Sequence, residues 1–223
     1  MTDTSYQAPQ TVILLHGLAR TSRSMRKLEK ALQQAGYHTC NIDYPSRKFN
    51  IENLSEQVIS GALKKLPPSM TTHFVTHSLG GILVRQYLQH HSINNLGRVV
   101  MLGPPNHGSQ VADWLQSYAF YHRFFGPVAA ELGTDKNGPL ERLGSANFDL
   151  GIIAGSRAFN ILCAPFLPKP NDGQVTVEST QLEDMKDHIC LPVSHPFMMS
   201  RETVIRQVIH YLQQGQFDHE GNH

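Results

Sequence analysis

Cysteine is scarce in this chain of 223 residues: there are three, Cys40, Cys163 and Cys190, far apart and odd in number. That excludes the disulfide framework of a small secreted domain and suits free thiols in a reducing compartment. No apolar run approaches the roughly 18 residues of a membrane-spanning helix, so no stable membrane insertion is expected. Neither charge sign is in excess. With 19 Lys plus Arg against 18 Asp plus Glu, the formal charge is +1, which gives no electrostatic footprint for nucleic acid or an anionic membrane surface and names no partner. The first ten residues hold Asp3 and no Lys or Arg, and the apolar run Val12 to Leu15 stops at His16. Both parts of a secretion signal are missing there, and a cytoplasmic location is the expectation. Histidine is plentiful, at 13, yet neither H-E-x-x-H nor paired C-x-x-C spacing occurs, so no metal and no cofactor are expected.

What the chain does have is an alternation of short apolar runs with helix-period segments. Thr11 to His16 is a continuous apolar run ending in Gly17, as in a strand buried on both faces. A helix is expected from about Ser22 to Ala35, with Met25, Leu28 and Leu32 on one side and Gly36 as its stop. Further strands are expected at Tyr37 to Tyr44, Thr72 to Thr76, Arg98 to Gly103, Leu150 to Ala154 and His188 to Leu191. Helices are expected at Ile51 to Leu66, ended by Pro67-Pro68, at Leu79 to His91, and at Ser200 to Gln214. The alternation implies one α/β domain over residues 1–223, with a mostly parallel sheet and helices on both faces. Residues 104–147 interrupt it with a lid-like insertion containing Trp114, Tyr118, Phe120, Tyr121, Phe124 and Phe125. The spacing of Trp114, Tyr118 and Tyr121 suits either packing on the core or contact with an acyl substrate.

Thr76-His-Ser-Leu-Gly-Gly81 lies between a strand-like and a helix-like run, which forces a sharp turn that exposes its central Ser78. Gly80 and Gly81 permit such a turn. Thr76 departs from the usual G-x-S-x-G by replacing the first glycine. In a parallel sheet the loops after the strands carry the chemistry. The loop His16-Gly17-Leu18 offers the Leu18 N–H, which with that of Leu79 would form an oxyanion hole. His195, after the last short strand, is the candidate base; His188 lies at the wrong end of that strand and His107 is a weaker rival. Asp172, in a turn beyond the Leu150 strand, is the candidate acid, with Asp149 and Asp184 as its rivals. The order Ser78, Asp172, His195 supplies nucleophile, acid and base.

Together, Val12-Ile-Leu-Leu-His-Gly-Leu18, His77-Ser-Leu-Gly-Gly81, Leu102-Gly-Pro-Pro-Asn-His-Gly-Ser109, Asn171-Asp-Gly-Gln-Val-Thr-Val-Glu-Ser179 and Ser194-His195 resemble the bacterial lipases and esterases of the α/β-hydrolase superfamily. The resemblance implies an α/β-hydrolase fold. It also implies a Ser78, Asp172, His195 triad that cleaves carboxylic esters of a small-molecule ester or lipid through an acyl-enzyme. A thioesterase, amidase, phospholipase or acyltransferase on the same fold is the neighbouring reading, and a ligand-binding protein without catalysis is the distant one.

Overall fold

The computed structural model describes residues 9–158 and 167–220. Cys163 lies outside the described residues. Six parallel strands form one sheet in the order β2-β1-β3-β4-β5-β6. They are β1 Gln10–Leu15, β2 His38–Ile42, β3 Thr71–His77, β4 Leu96–Leu102, β5 Leu150–Gly155 and β6 Asp187–Leu191. All pairs are parallel because each connection crosses over a face and brings the chain back to the same end of the sheet.

Continuous apolar runs are what such strands require, since alternate side chains enter two different cores. Ile13, Leu15, Phe74, Val99, Met101 and Ile152 fill one face; Val12, Leu14, Val75, Val100, Leu102 and Ile153 fill the other. Helix α1, Arg26–Gln34, and helix α8, Glu202–Gln214, cover the second face with Leu28, Leu32, Val204, Val208, Tyr211 and Leu212. A buried leucine contributes about 1.5–3 kcal/mol, so these stripes fix both helices. The first face takes α2, Ile51–Ser55, and α4, Leu79–His90.

Two expected helices are less regular than their spacing suggests. The turn Ser22–Met25 before α1 is wound more tightly, as a 3-10 turn. After α2, Glu56–Ser60 widens into a π turn before the short α3, Gly61–Leu63. Leu54, Val58 and Ala62 still face the core across this irregularity.

Between β4 and β5 the chain forms α5, Gln110–Gln116, α6, Ala119–Phe125, and two tight turns at Pro127–Glu131 and Glu141–Leu143. Both ends of this segment are tied to α4 through Arg85, which is 5 % exposed. Its guanidinium donates from Nη1 to the Asn106 carbonyl and Oδ1, both at 3.1 Å, and from Nη2 to the Gly144 carbonyl at 2.8 Å. Burial lowers the Arg85 pKa to about 10, and the side chain stays charged at neutral pH. A last short helix, α7 Val177–Thr180, precedes β6. No described helix is long and apolar enough to cross a membrane.

Candidate active site

The strand order reverses at β1: one crossover leads outward to β2 and the next to β3 on its other side. The crevice at the carboxyl ends of β1 and β3 is therefore a topological switch point, where open parallel sheets bind ligands. His16 and Gly17 leave β1 there, and Ser78 leaves β3.

Ser78 is the single joint between β3 and α4, at φ 52° and ψ −118°. A non-glycine residue so placed costs on the order of 1–3 kcal/mol, and its surroundings must enforce it. The Ser78 N–H donates to the Leu102 carbonyl at 2.9 Å, and the Ser78 carbonyl accepts from the Gly81 N–H at 3.0 Å. Gly80 lets α4 press onto β1, since a β-carbon there would lie 2.7 Å from the Leu15 carbonyl oxygen. The result is a partly exposed Ser78 between buried His77 and Leu79. Thr76 is fully buried in β3 between Leu15 and Met101, and its hydroxyl has no hydrogen-bond partner among the described residues.

His195 and Asp172 meet beside this turn. The Asp172 Oδ2 lies 2.7 Å from His195 Nδ1, with the two residues 1 % and 3 % exposed. The other carboxylate oxygen, Oδ1, accepts the N–H groups of Gln174 at 3.0 Å and Val175 at 2.8 Å. With Oδ2 as the acceptor facing it, His195 Nδ1 carries the proton and Nε2 is left as the acceptor. The His195 N–H also donates to the Asp172 carbonyl at 3.0 Å, so backbone and side chain fix the pair together. Gly103 and Gly155 leave room for it. A β-carbon on Gly103 would lie 3.1 Å from both Asp172 Oδ2 and His195 Nδ1, and one on Gly155 would lie 2.8 Å from Asp172 Cβ.

Sequence reasoning passed over His77. Its Nε2 lies 3.0 Å from the His195 carbonyl oxygen, and the two rings are 4.7 Å apart. A carbonyl accepts, so Nε2 carries the proton, and the buried Nδ1 has no partner among the described residues. Burial first, and the neighbouring His195 second, hold the His77 pKa well below the ordinary histidine range. This neutral ring links the residue before Ser78 to the loop that carries His195. Only the side chain's position in β3 next to Ser78 could have signalled it.

The loop after β1 closes on the same point. A β-carbon on Gly17 would lie 2.7 Å from His77 Nδ1 and 3.3 Å from Ser78 Cβ. Arg20 N–H donates to the Gly17 carbonyl at 3.2 Å, and Ala19 N–H to Ser46 Oγ at 3.0 Å. Leu18 is half-buried in this turn. Leu79 is the first residue of α4, so its N–H has no acceptor within the helix. His16 beneath the loop is fully buried and stacked on Tyr44 at 4.0 Å, and burial lowers its pKa.

The rivals lie elsewhere. His107 is exposed and 2.8 Å from Glu141; His188 is in β6 with its Nε2 at Thr180 Oγ1. Asp149 stands at the opposite, amino end of β5, held by Tyr211, Lys186 and Arg98. Asp184 is exposed in the loop before β6. Of the three aromatic residues expected at the substrate, Trp114 and Tyr118 form an edge-to-face pair at 5.5 Å on the surface, 50 % and 43 % exposed. Tyr121 turns inward on α6, against Phe125, and is buried. The described residues contain no cluster of three or more His, Cys, Asp or Glu side chains that could hold a metal ion.

Residues 11–131, more than half of the chain, match the sequence family described as palmitoyl protein thioesterase. That span contains Ser78, Leu18 and Leu79 and ends before Asp172 and His195. No curated protein matches the chain by sequence. Among solved structures, the mature lipase of Bacillus licheniformis is 20% identical with a TM-score of 0.70, over 94% of this chain and 93% of its own. A phospholipase from Legionella pneumophila is 17% identical with a TM-score of 0.69, over 94% of this chain and 60% of its own. An extracellular α/β-hydrolase from a Paenibacillus species is 15% identical with a TM-score of 0.60, over 91% of this chain and 98% of its own. At these identities the likeness is one of fold, and it is the α/β-hydrolase fold that the sequence motifs imply.

Proposed function

The chain belongs to the palmitoyl protein thioesterase family, and we propose that it hydrolyses fatty acyl thioesters and esters through a Ser78, His195, Asp172 triad. The observation that carries this reading is the 2.7 Å Asp172–His195 pair, buried beside a partly exposed serine held at positive φ. Ser78 Oγ attacks the acyl carbonyl while His195 Nε2 takes its proton. The tetrahedral oxyanion is held by the Leu18 and Leu79 N–H groups. Collapse expels the thiol or alcohol, protonated by His195, and leaves the acyl group on Ser78. Water, deprotonated by the same nitrogen, then releases the fatty acid and restores Ser78. Asp172 keeps the tautomer and stabilises the imidazolium throughout.

The whole chain acts as one catalytic domain, with residues 104–147 as its lid. Trp114 and Tyr118 on the outer surface of this lid, and Tyr121 within it, meet the acyl chain as it enters. Family membership favours the thioester; the fold, shared with a lipase and a phospholipase, favours the oxygen ester. A panel of matched palmitoyl thioester, oxygen ester and amide separates these readings. We expect both esters to be cleaved and the amide spared, with Asp172→Asn lowering kcat by about 10³ to 10⁴-fold. Amide cleavage at a comparable rate, or an Asp172→Asn enzyme with unchanged kcat, would overturn the assignment.

A further inference from the structure

We propose that α5, α6 and the loop at residues 47–49 form a surface that docks on an anionic lipid bilayer. The proposal rests on the acyl hydrolase reading, in that a bilayer is where long acyl chains are presented. It is built on three independent features of the surface itself.

The first is a continuous exposed aromatic ridge. Trp114 is 50 % exposed, Tyr118 43 %, Phe120 61 % and Phe124 57 %. Tyr118 bridges the first three, with ring centroids 5.5 Å from Trp114 and 5.8 Å from Phe120. Phe120 and Phe124 are four residues apart on α6 and so share its outer side. Exposed aromatics scattered singly need no explanation, but a contiguous row marks an interaction site.

The second is the charge around the ridge. The Arg47 guanidinium sits 5.2 Å from the Phe124 ring centroid and donates from Nη1 to the Phe124 carbonyl at 3.3 Å. Lys48 and half-exposed Phe49 follow it, and Arg123 projects from α6 beside Phe124. Residues 114–126 and 45–50 contain no acidic residue. Asp113, in the middle of α5, is engaged by the Thr134 hydroxyl and N–H. Aromatic rings flanked by cations match the interface of an anionic bilayer, where rings sit at the headgroup level and basic groups meet phosphate.

The third is rigidity between the two parts. Gly126 ends α6 against the Arg47 backbone so closely that a β-carbon there would coincide with the Arg47 carbonyl. The basic loop and the aromatic helix therefore present one face. Overall charge, at +1, conceals this local arrangement.

Trp114 is the only tryptophan in the chain, so its fluorescence reports the ridge alone. The test uses full-length Ser78→Ala protein with phosphatidylcholine vesicles and with vesicles in which a third of the lipid is phosphatidylglycerol. We expect a blue shift of Trp114 emission and co-sedimentation with the anionic vesicles, reversed by high salt. Phe120→Ser with Phe124→Ser should weaken binding at least tenfold, and Lys48→Glu with Arg123→Glu more than tenfold, at about fivefold per lost positive charge. Either double variant should keep the parent's thermal midpoint, so that lost binding is not lost folding. Absence of a blue shift, binding indifferent to both double variants, or a shift that needs only higher protein concentration would overturn the proposal. Binding is read without catalysis, so a parent protein with Ser78 intact that docks but cleaves no ester would count against the hydrolase reading alone.

Discussion

Thr76 carries a buried hydroxyl without a hydrogen-bond partner among the described residues, two residues before Ser78. In a site where nearly every other polar group is paired, this one costs desolvation and gains nothing in return. Thr76→Val keeps the shape and the β-branch and removes the orphan oxygen. We expect it to raise stability by about 1 kcal/mol, read as a higher Tm, with ester turnover within twofold of the parent. A lower Tm would mean that the hydroxyl is bonded. The strained turn at Ser78 and the closeness of Asp172 to His195 were legible in the sequence, because the proposed chemistry restricts residue types and order. His77 and Gly103 were not, because their importance lies in what comes near them across the fold: the carbonyl of His195, 118 positions away, and the Asp172–His195 pair.

At the scale of elements, the strands were readable from apolar runs and α8 from its period, since local pattern and tertiary role agree there. The π turn at Glu56–Ser60 has no sequence signal, because the same apolar spacing survives it. Arg85 is the sharper lesson. Charged side chains on a helix ordinarily face water, yet Arg85 is buried and joins both ends of the 104–147 segment to α4. Arg85→Gln should loosen that segment selectively. Amide hydrogen exchange is expected to rise at residues 104–109 and 143–148 while β1, β3 and β4 keep their protection. Equal acceleration across the sheet would contradict this anchoring role.

For the whole molecule, His16, His73 and His77 are all buried, and burial is the first cause of the lowered pKa in each. His73, packed over Gly97 and bonded to Arg98 N–H at 2.8 Å, falls from 6.5 to about 4. A histidine that refuses a proton when folded but accepts it when unfolded leaves stability intact above pH 6.5 and removes it as pH falls toward 4. At about 1.4 kcal/mol per pKa unit, His73 alone accounts for a loss of about 3 kcal/mol across that window. Denaturant unfolding between pH 7.5 and 4.5 should show this fall, and His73→Gln should make it shallower whatever its stability at pH 7.5. An unchanged pH slope in that variant would contradict the assignment.

Ser78 is the proposed nucleophile, and the direct measurement is reaction with a long-chain alkyl fluorophosphonate followed by peptide mapping of the adduct. The predicted result is one phosphonate on the peptide bearing Ser78, no labelling of Ser78→Ala, and labelling at least about 10³-fold slower in Asp172→Asn. An adduct on any other residue, or labelling of Ser78→Ala at the parent rate, would contradict it.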